Sequence, residues 1–308
     1  MNKLWILIVA VLIVVSCTGK SEDANKAAGG KIKIVTTIGM IADAAENIGG
    51  DLVDVTALMG PGIDPHLYKA SAGDVRRMSS ANIILYGGLH LEGKMTEVFA
   101  QMNKTTTTVA VSEKIDPSLL LSPKEFEGLH DPHVWFDVGL WKKAVERIGE
   151  VLAEFDSKNS QTYRANTKTY LDKLTELDAY VRQKAGELPP ERRVLITAHD
   201  AFNYFGRAYG FEVRGIQGIS TASEAGTADV ERLANFIKER QIPAIFVETS
   251  VPQRYVQALQ AAVKSKGFDV AVGGSLFSDS MGDEGTEQGT YPGMIKHNID
   301  TIVNALKK

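Results

Sequence analysis

Short runs of β-branched and aliphatic residues recur along the chain, at residues 32–35, 53–58, 83–86 and 108–111, then at 194–197, 211–216, 244–247 and 270–272. Longer stretches between them carry apolar positions at helical spacing. Short strand signals alternating with helices predict parallel sheets of the α/β class. Four runs fall before residue 112 and four after residue 193, so the pattern predicts two similar lobes, each with a mainly parallel four-stranded sheet flanked by helices. No residue-level repeat relates the two halves.

The segment between the two sets of strands has no strand signal. Residues 140–155 read as one helix. From Ser160 to Leu188, Tyr163, Thr167, Tyr170, Leu171, Leu174, Leu177 and Val181 recur at helical spacing, opposite a face of Lys, Asp and Glu. Neither Pro nor Gly interrupts this second stretch before Gly186 and Pro189-Pro190. At 1.5 Å per residue such a helix spans roughly 40 Å, the length of a whole domain. It reads as one long rigid helix joining the lobes. The expected boundaries are 31–156 for the first lobe, 157–188 for the linking helix and 189–308 for the second lobe.

The amino terminus follows a different logic. Lys3 precedes an unbroken apolar run over residues 4–15, which ends in Ser16-Cys17. This is a signal peptide over residues 1–16, too short to cross a bilayer, which takes about 20 apolar residues. Val14-Val15-Ser16-Cys17 resembles a lipobox, which implies that Cys17 becomes the lipidated first residue of an exported, periplasmic or cell-surface, membrane-anchored protein. Cys17 is the single cysteine, so neither an intramolecular disulfide nor a thiolate metal cluster is available. Residues 18–30 contain no aliphatic side chain larger than Ala and read as a flexible tether, with a reach of roughly 20 Å. The formal charge of −4 gives no electrostatic reason to bind nucleic acid.

The candidate chemistry lies in the histidines, of which there are six: His66, His90, His130, His133, His199 and His297. Two follow the same dipeptide, in Asp64-Pro65-His66 and Asp131-Pro132-His133. Proline fixes its own φ and biases the residue before it towards extended geometry, so each of these histidines leaves a stiff turn, as a preorganised ligand requires. His199 stands at the carboxyl end of a predicted strand, the edge where open α/β sheets bind ligands. His130 and His133 make a His-x-x-His spacing, but Pro132 opposes a chelating helix. His297 falls in a helical terminal segment and reads as structural. His90 follows a strand and faces the expected cleft, as does Asp279 after the last strand. Taken alone, these residues point to a histidine-rich site in the cleft and go no further.

Four segments carry a more specific signal. Gly60-Pro61-Gly62-Ile63-Asp64-Pro65-His66-Leu67-Tyr68, Asp131-Pro132-His133-Val134-Trp135-Phe136-Asp137, Thr197-Ala198-His199-Asp200-Ala201-Phe202 and Phe277-Ser278-Asp279-Ser280-Met281-Gly282 resemble, in order, the signature regions of the TroA-type zinc and manganese solute-binding receptors of ABC transporters. The resemblance runs from about residue 31 to the carboxyl end. It implies one divalent metal ion bound as cargo in the interlobe cleft by His66, His133, His199 and Asp279, and a membrane permease of an ABC importer as partner. A single chain suffices for that role, so a monomer is expected. His90, Asp137, Asp200 and Glu248 are candidates to orient the imidazoles.

Imidazole nitrogens and a carboxylate suit Zn2+ and tolerate Mn2+ or Fe2+, whereas copper(I) favours sulfur. Manganese-devoted relatives tend to carry a carboxylate where His199 stands, which favours zinc. Zinc-devoted relatives often carry a His-rich loop before the Asp-Pro-His-Val-Trp region, and residues 116–129 contain no histidine, which keeps manganese open. Two other classes compete with this reading. A zinc hydrolase needs an open coordination position, and no His-Glu-x-x-His is present. A surface adhesin fits an anchored lipoprotein but has no positive signal in the chain. The expectation is therefore a receptor, not an enzyme.

Overall fold

The first predicted strand forms as β1 (Ile32–Thr36), and it lies at the centre of a sheet because almost every side chain on it is buried. In this computed structural model, which describes residues 30–126, 128–223 and 225–307, the first sheet also contains β2 (Val53–Ala57), β3 (Ile83–Tyr86) and β4 (Thr107–Ala110). The signal peptide, Cys17 and most of the tether lie outside the described residues. The strand order is β2-β1-β3-β4, all parallel. The sequence explains the order. Ile83, Ile84 and Leu85 are buried on both faces, as a central parallel strand requires, whereas the Asp54- and Thr-bearing β2 and β4 take the edges. Helices α1 (Gly39–Gly49), α2 (Ala72–Ser79) and α3 (Thr96–Met102) supply the crossovers.

Two helices follow. Asp137 caps α4 (Val138–Phe155) by accepting from the Leu140 amide at 3.1 Å. The long stretch read as a connector is α5 (Ser160–Ala185), 26 residues and so about 39 Å long. It ends where Gly186 begins the approach to Pro189-Pro190. It is tied to α1 and α4, through Tyr170 to Asp43, Asn166 to the Ile48 carbonyl, and Lys142 to Thr175.

The second half repeats the architecture. Strand β5 (Val194–His199) pairs in parallel with β6 (Glu212–Gln217), which follows helix α6 (Asn203–Tyr209). Then come α7 (Thr227–Arg240), β7 (Ala244–Glu248), α8 (Arg254–Ser265), β8 (Ala271–Leu276), paired with β7, and a final helix α9 (Tyr291–Leu306). β5 lies beside β7, so two two-stranded parallel sheets, β5-β6 and β7-β8, adjoin in the spatial order β6-β5-β7-β8. Among the described residues the regular ladders are β5–β6 and β7–β8. At the β5–β7 seam the amide of His199 donates to the Glu248 side chain. The same carboxylate also meets the His199 ring, which joins the seam to the chemistry described below. Along α5 the Tyr180 hydroxyl reaches Asp300 of α9 at 2.8 Å, so the long helix is fastened to the second half as well as the first.

Among the described residues the core has two clusters. One runs from the first sheet through α4, α5 and α9, and the other fills the space between β5, β7, α7 and α8. Leu195 belongs to the first, and its neighbours Val194, Ile196 and Ala198 to the second. β5 therefore holds His199 between two packed layers, which fixes the backbone from which that side chain projects.

Candidate metal centre

His66, His133, His199 and Asp279 converge on one point. One donor atom from each lies within 4.8 Å of every other, and all four side chains are buried. The Nε2 atoms of His66 and His133 are 3.2 Å apart, and Asp279 Oδ2 is 3.8 Å from His66 Nε2 and 3.3 Å from His199 Nε2. Asp279 Oδ1 lies 3.4 Å from His133 Nε2. Four ligands at zinc bond lengths stand about 3.3 Å apart in a tetrahedron. The donors therefore surround a space of the right size for a small divalent ion.

Each side chain arrives from a different element. His66 lies on the loop between β2 and α2, where Gly62 adopts a φ of 74° and donates its amide to Ser280 Oγ at 2.9 Å. A side chain at position 62 would be strained in that left-handed conformation. Asp64 accepts from the His66 amide at 2.8 Å, and its other oxygen accepts from the Thr221 hydroxyl at 2.5 Å. His133 precedes a 3-10 turn, Val134–Phe136, packed into the core. Asp131 Oδ1 takes both the backbone amide of His133, at 3.0 Å, and its ring Nδ1, at 2.7 Å. Both Asp-Pro-His tripeptides thus form the same turn, with Asp accepting from the amide two residues on. His199 is the last residue of β5, and Glu248 at the end of β7 takes its amide at 2.9 Å and its Nδ1 at 2.5 Å. Asp279 follows β8, and its approach is held by Trp135, whose indole donates to the Ser278 carbonyl at 3.0 Å.

The electrostatics fit a cation. His199 Nε2 and both oxygens of Asp279 are buried without a hydrogen-bond partner. Leaving three such atoms bare is costly in a dry interior, and they all face the same space. Burial pushes the Asp279 carboxyl up, but the adjacent His199 and His133 rings outweigh it and hold the group well below the usual carboxylate range. Burial lowers His133 too. Asp131 and Asp279 overcome that effect and raise its pKa to about 9. His199 is likewise lifted well above its ordinary value, against burial, by Glu248 and Asp279. His66 goes the other way. Burial and the neighbouring rings push it down to about 3, although Asp279 pulls upward. Two carboxylates, Asp131 and Glu248, thus back the rings of His133 and His199, Asp279 faces all three imidazoles, and positive charge in the centre satisfies this acidic set.

Of the other candidates, Glu248 touches His199 directly, while His90, Asp137 and Asp200 lie outside the cluster of four. His90 is exposed with a φ of 68°, because the chain turns outward after β3 and buries Glu92 in its place. Glu92 accepts from Thr37 Oγ1 at 2.5 Å and from the Gly87 amide at 2.7 Å, pinning the ends of β1 and β3 together. Asp137 is used up as the α4 cap and as a partner of Arg207. Asp200 accepts from the Gly215 amide at 3.2 Å and braces β5 on β6. His130 bonds to Ser122, and His297 meets the Ser275 carbonyl. Asp131 is not among the residues predicted to orient the imidazoles, and its signal is its place two residues before a histidine.

The sequence matches the family described as ZnuA, zinc-uptake complex component A, periplasmic, over residues 34–305. The chain is 55% identical over 288 residues to the zinc-binding protein TroA of Treponema pallidum, covering 94% of this chain and 92% of TroA. It is 46% identical to the manganese-binding lipoprotein MntA of Bacillus subtilis over 287 residues, 93% of this chain and 94% of MntA. With PsaA of Streptococcus mitis, a manganese ABC transporter substrate-binding lipoprotein, identity is 32% over 315 residues, 100% of this chain and 99% of that one. The solved structure of TroA superposes with a TM-score of 0.88 over 90% of this chain and 99% of TroA.

Proposed function

The chain belongs to the ZnuA family of periplasmic metal-uptake components, and from that premise we propose that it captures one Zn2+ or Mn2+ ion through His66, His133, His199 and Asp279 and presents it to the membrane permease of an ABC importer. The family consists of solute-binding components of importers, not enzymes, and its members give no support to a hydrolase or an adhesin. The observation that carries the ligand assignment is the convergence of three buried polar atoms of His199 and Asp279 that lack a hydrogen-bond partner on the space that His66 and His133 also face. Nitrogen and oxygen donors of this kind take zinc more tightly than manganese, so affinity by itself does not name the physiological cargo. Fe2+ suits the same donors. The lobes are assigned to 31–156 and 189–308, with 157–188 linking them, and the receptor works as a monomer held to the membrane by lipid on Cys17.

The test is a titration of the chelator-stripped chain with Zn2+ and with Mn2+, bound metal being counted by elemental analysis. One tight equivalent in the wild type, lost in His199→Ala and Asp279→Ala, supports the assignment. Stoichiometric uptake that survives both substitutions would place the ion elsewhere. Metabolic labelling with a radioactive fatty acid, compared with Cys17→Ala, tests the anchor.

A further inference from the structure

We propose that Asn203 is a positioning residue for the ion, acting from the second half of the chain on a ligand of the first. The inference rests on the assignment of His133 as a ligand. Asn203 is the first residue of α6, a few positions after His199. Its Nδ2 donates to Asp131 Oδ2 at 3.2 Å and to the Asp200 carbonyl at 3.1 Å. Asp131 is fully buried, and its Oδ1 is occupied by the amide and ring of His133. The Asn203 amide therefore satisfies the one remaining oxygen of the carboxylate that orients His133. The next residue reinforces the link, because the Tyr204 hydroxyl donates to the Asp131 carbonyl at 2.9 Å and accepts from the Leu121 amide at 3.0 Å.

The consequence is chemical. Nδ1 of His133 must carry its proton towards Asp131 for Nε2 to offer a lone pair to the ion. An Asp131 carboxylate held at both oxygens has no freedom to rotate away from Nδ1. One freed at Oδ2 can turn, and the ring then loses its orientation. His133 is thus set by a chain of bonds that runs from the Asp200 carbonyl, just after β5, through Asn203 and Asp131 to the first half. His66 is outside this chain, since Asp64 holds its amide.

Two substitutions separate positioning from space-filling. Asn203→Ala removes the donor. Asn203→Asp keeps the shape, and a carboxylate in the first turn favours α6, but it sets an acceptor against an acceptor at Asp131. Zinc affinity would be measured by competition with a chromophoric chelator at pH 7.5, with the visible absorption of the Co2+-loaded chain as a probe of ligand geometry. We expect affinity to fall about ten-fold in Asn203→Ala and about a hundred-fold in Asn203→Asp, at unchanged stoichiometry. The Co2+ spectrum of Asn203→Asp should shift towards that of His133→Ala, while circular dichroism of the metal-free chain shows the fold retained. Affinities within two-fold of wild type in both variants, or a wild-type-like Asn203→Asp beside an impaired Asn203→Ala, would overturn the inference, as would weakened binding with an unaltered spectrum. A wild type that binds no metal would instead overturn the ligand assignment itself.

Discussion

Replacing Glu248 by glutamine exchanges one oxygen for an NH2 group and leaves the packing unchanged, yet it attacks the donor count at His199. The backbone amide and ring Nδ1 of His199 are both donors, and they face the two oxygens of Glu248 at 2.9 Å and 2.5 Å. Glutamine offers one acceptor and one donor there. If its oxygen takes the backbone amide, its amide nitrogen confronts Nδ1 and favours the tautomer with the proton on Nε2, pointing at the ion. If it flips, the ring keeps its tautomer and the buried backbone amide is left facing a donor, which costs about 1–3 kcal/mol. Loss of a carboxylate behind a ligating imidazole typically weakens metal binding 10–100-fold, or about 1.4–2.7 kcal/mol. Because both orientations of the substituted side chain are faulty, we expect the upper end of that range.

Competition against a chromophoric chelator at pH 7.5 reads the change directly. Circular dichroism and the metal-free melting temperature check that the fold is intact. Glu248→Asp retains two acceptors on a shorter arm and should lose less affinity than Glu248→Gln. A folded Glu248→Gln that binds zinc within two-fold of wild type would refute the reasoning, since it would mean that the tautomer of His199 is set without Glu248.

Three further outcomes follow from the same geometry. Metal at about a thousand times its Kd stabilises a protein by about 4 kcal/mol, so loading should raise the melting temperature by about 8–16 °C and chelation should reverse the rise; an unchanged melt would argue against a site formed in the folded state. Because the pKa of His133 is raised to about 9 and that of His199 lies well above its ordinary value, both rings hold a proton near neutrality until metal displaces it. Affinity should therefore drop as pH falls from 8 to 5, and calorimetry in buffers of different ionisation enthalpy should register more than one proton released at pH 7; zero release would contradict the protonated metal-free site. Tyr170→Phe removes the hydroxyl that donates to buried Asp43, so unfolding by urea should show a loss of about 1–3 kcal/mol, and a loss below a few tenths would mean that Asp43 finds another donor.

The parts of this molecule that could be read from sequence are those whose physics is local. Central strands such as residues 83–86 and 194–197 announce themselves because both faces are buried, and α5 is written in the periodicity of Tyr163, Tyr170, Leu174, Leu177 and Val181, all of which are buried. The two Asp-Pro-His tripeptides could be read as stiff turns, and both Asp side chains do accept the amide two residues on. What each Asp does with its other oxygen could not be read, because that depends on what the second half of the chain brings against it: a Thr221 hydroxyl for Asp64, an Asn203 amide for Asp131. The same tripeptide consequently produces one imidazole backed by a carboxylate and one without. His90 failed for a related reason. Its neighbourhood to a strand end suggested the cleft, but the turn at Leu89 and His90, both at positive φ, sends the ring outward and buries Glu92 as the brace. Residues that touch the ion must be of a few chemical types, so they leave a mark in sequence. Residues that hold those ligands in place need only supply a donor or an acceptor at the right point, and almost any polar side chain can do that once the fold has brought it there.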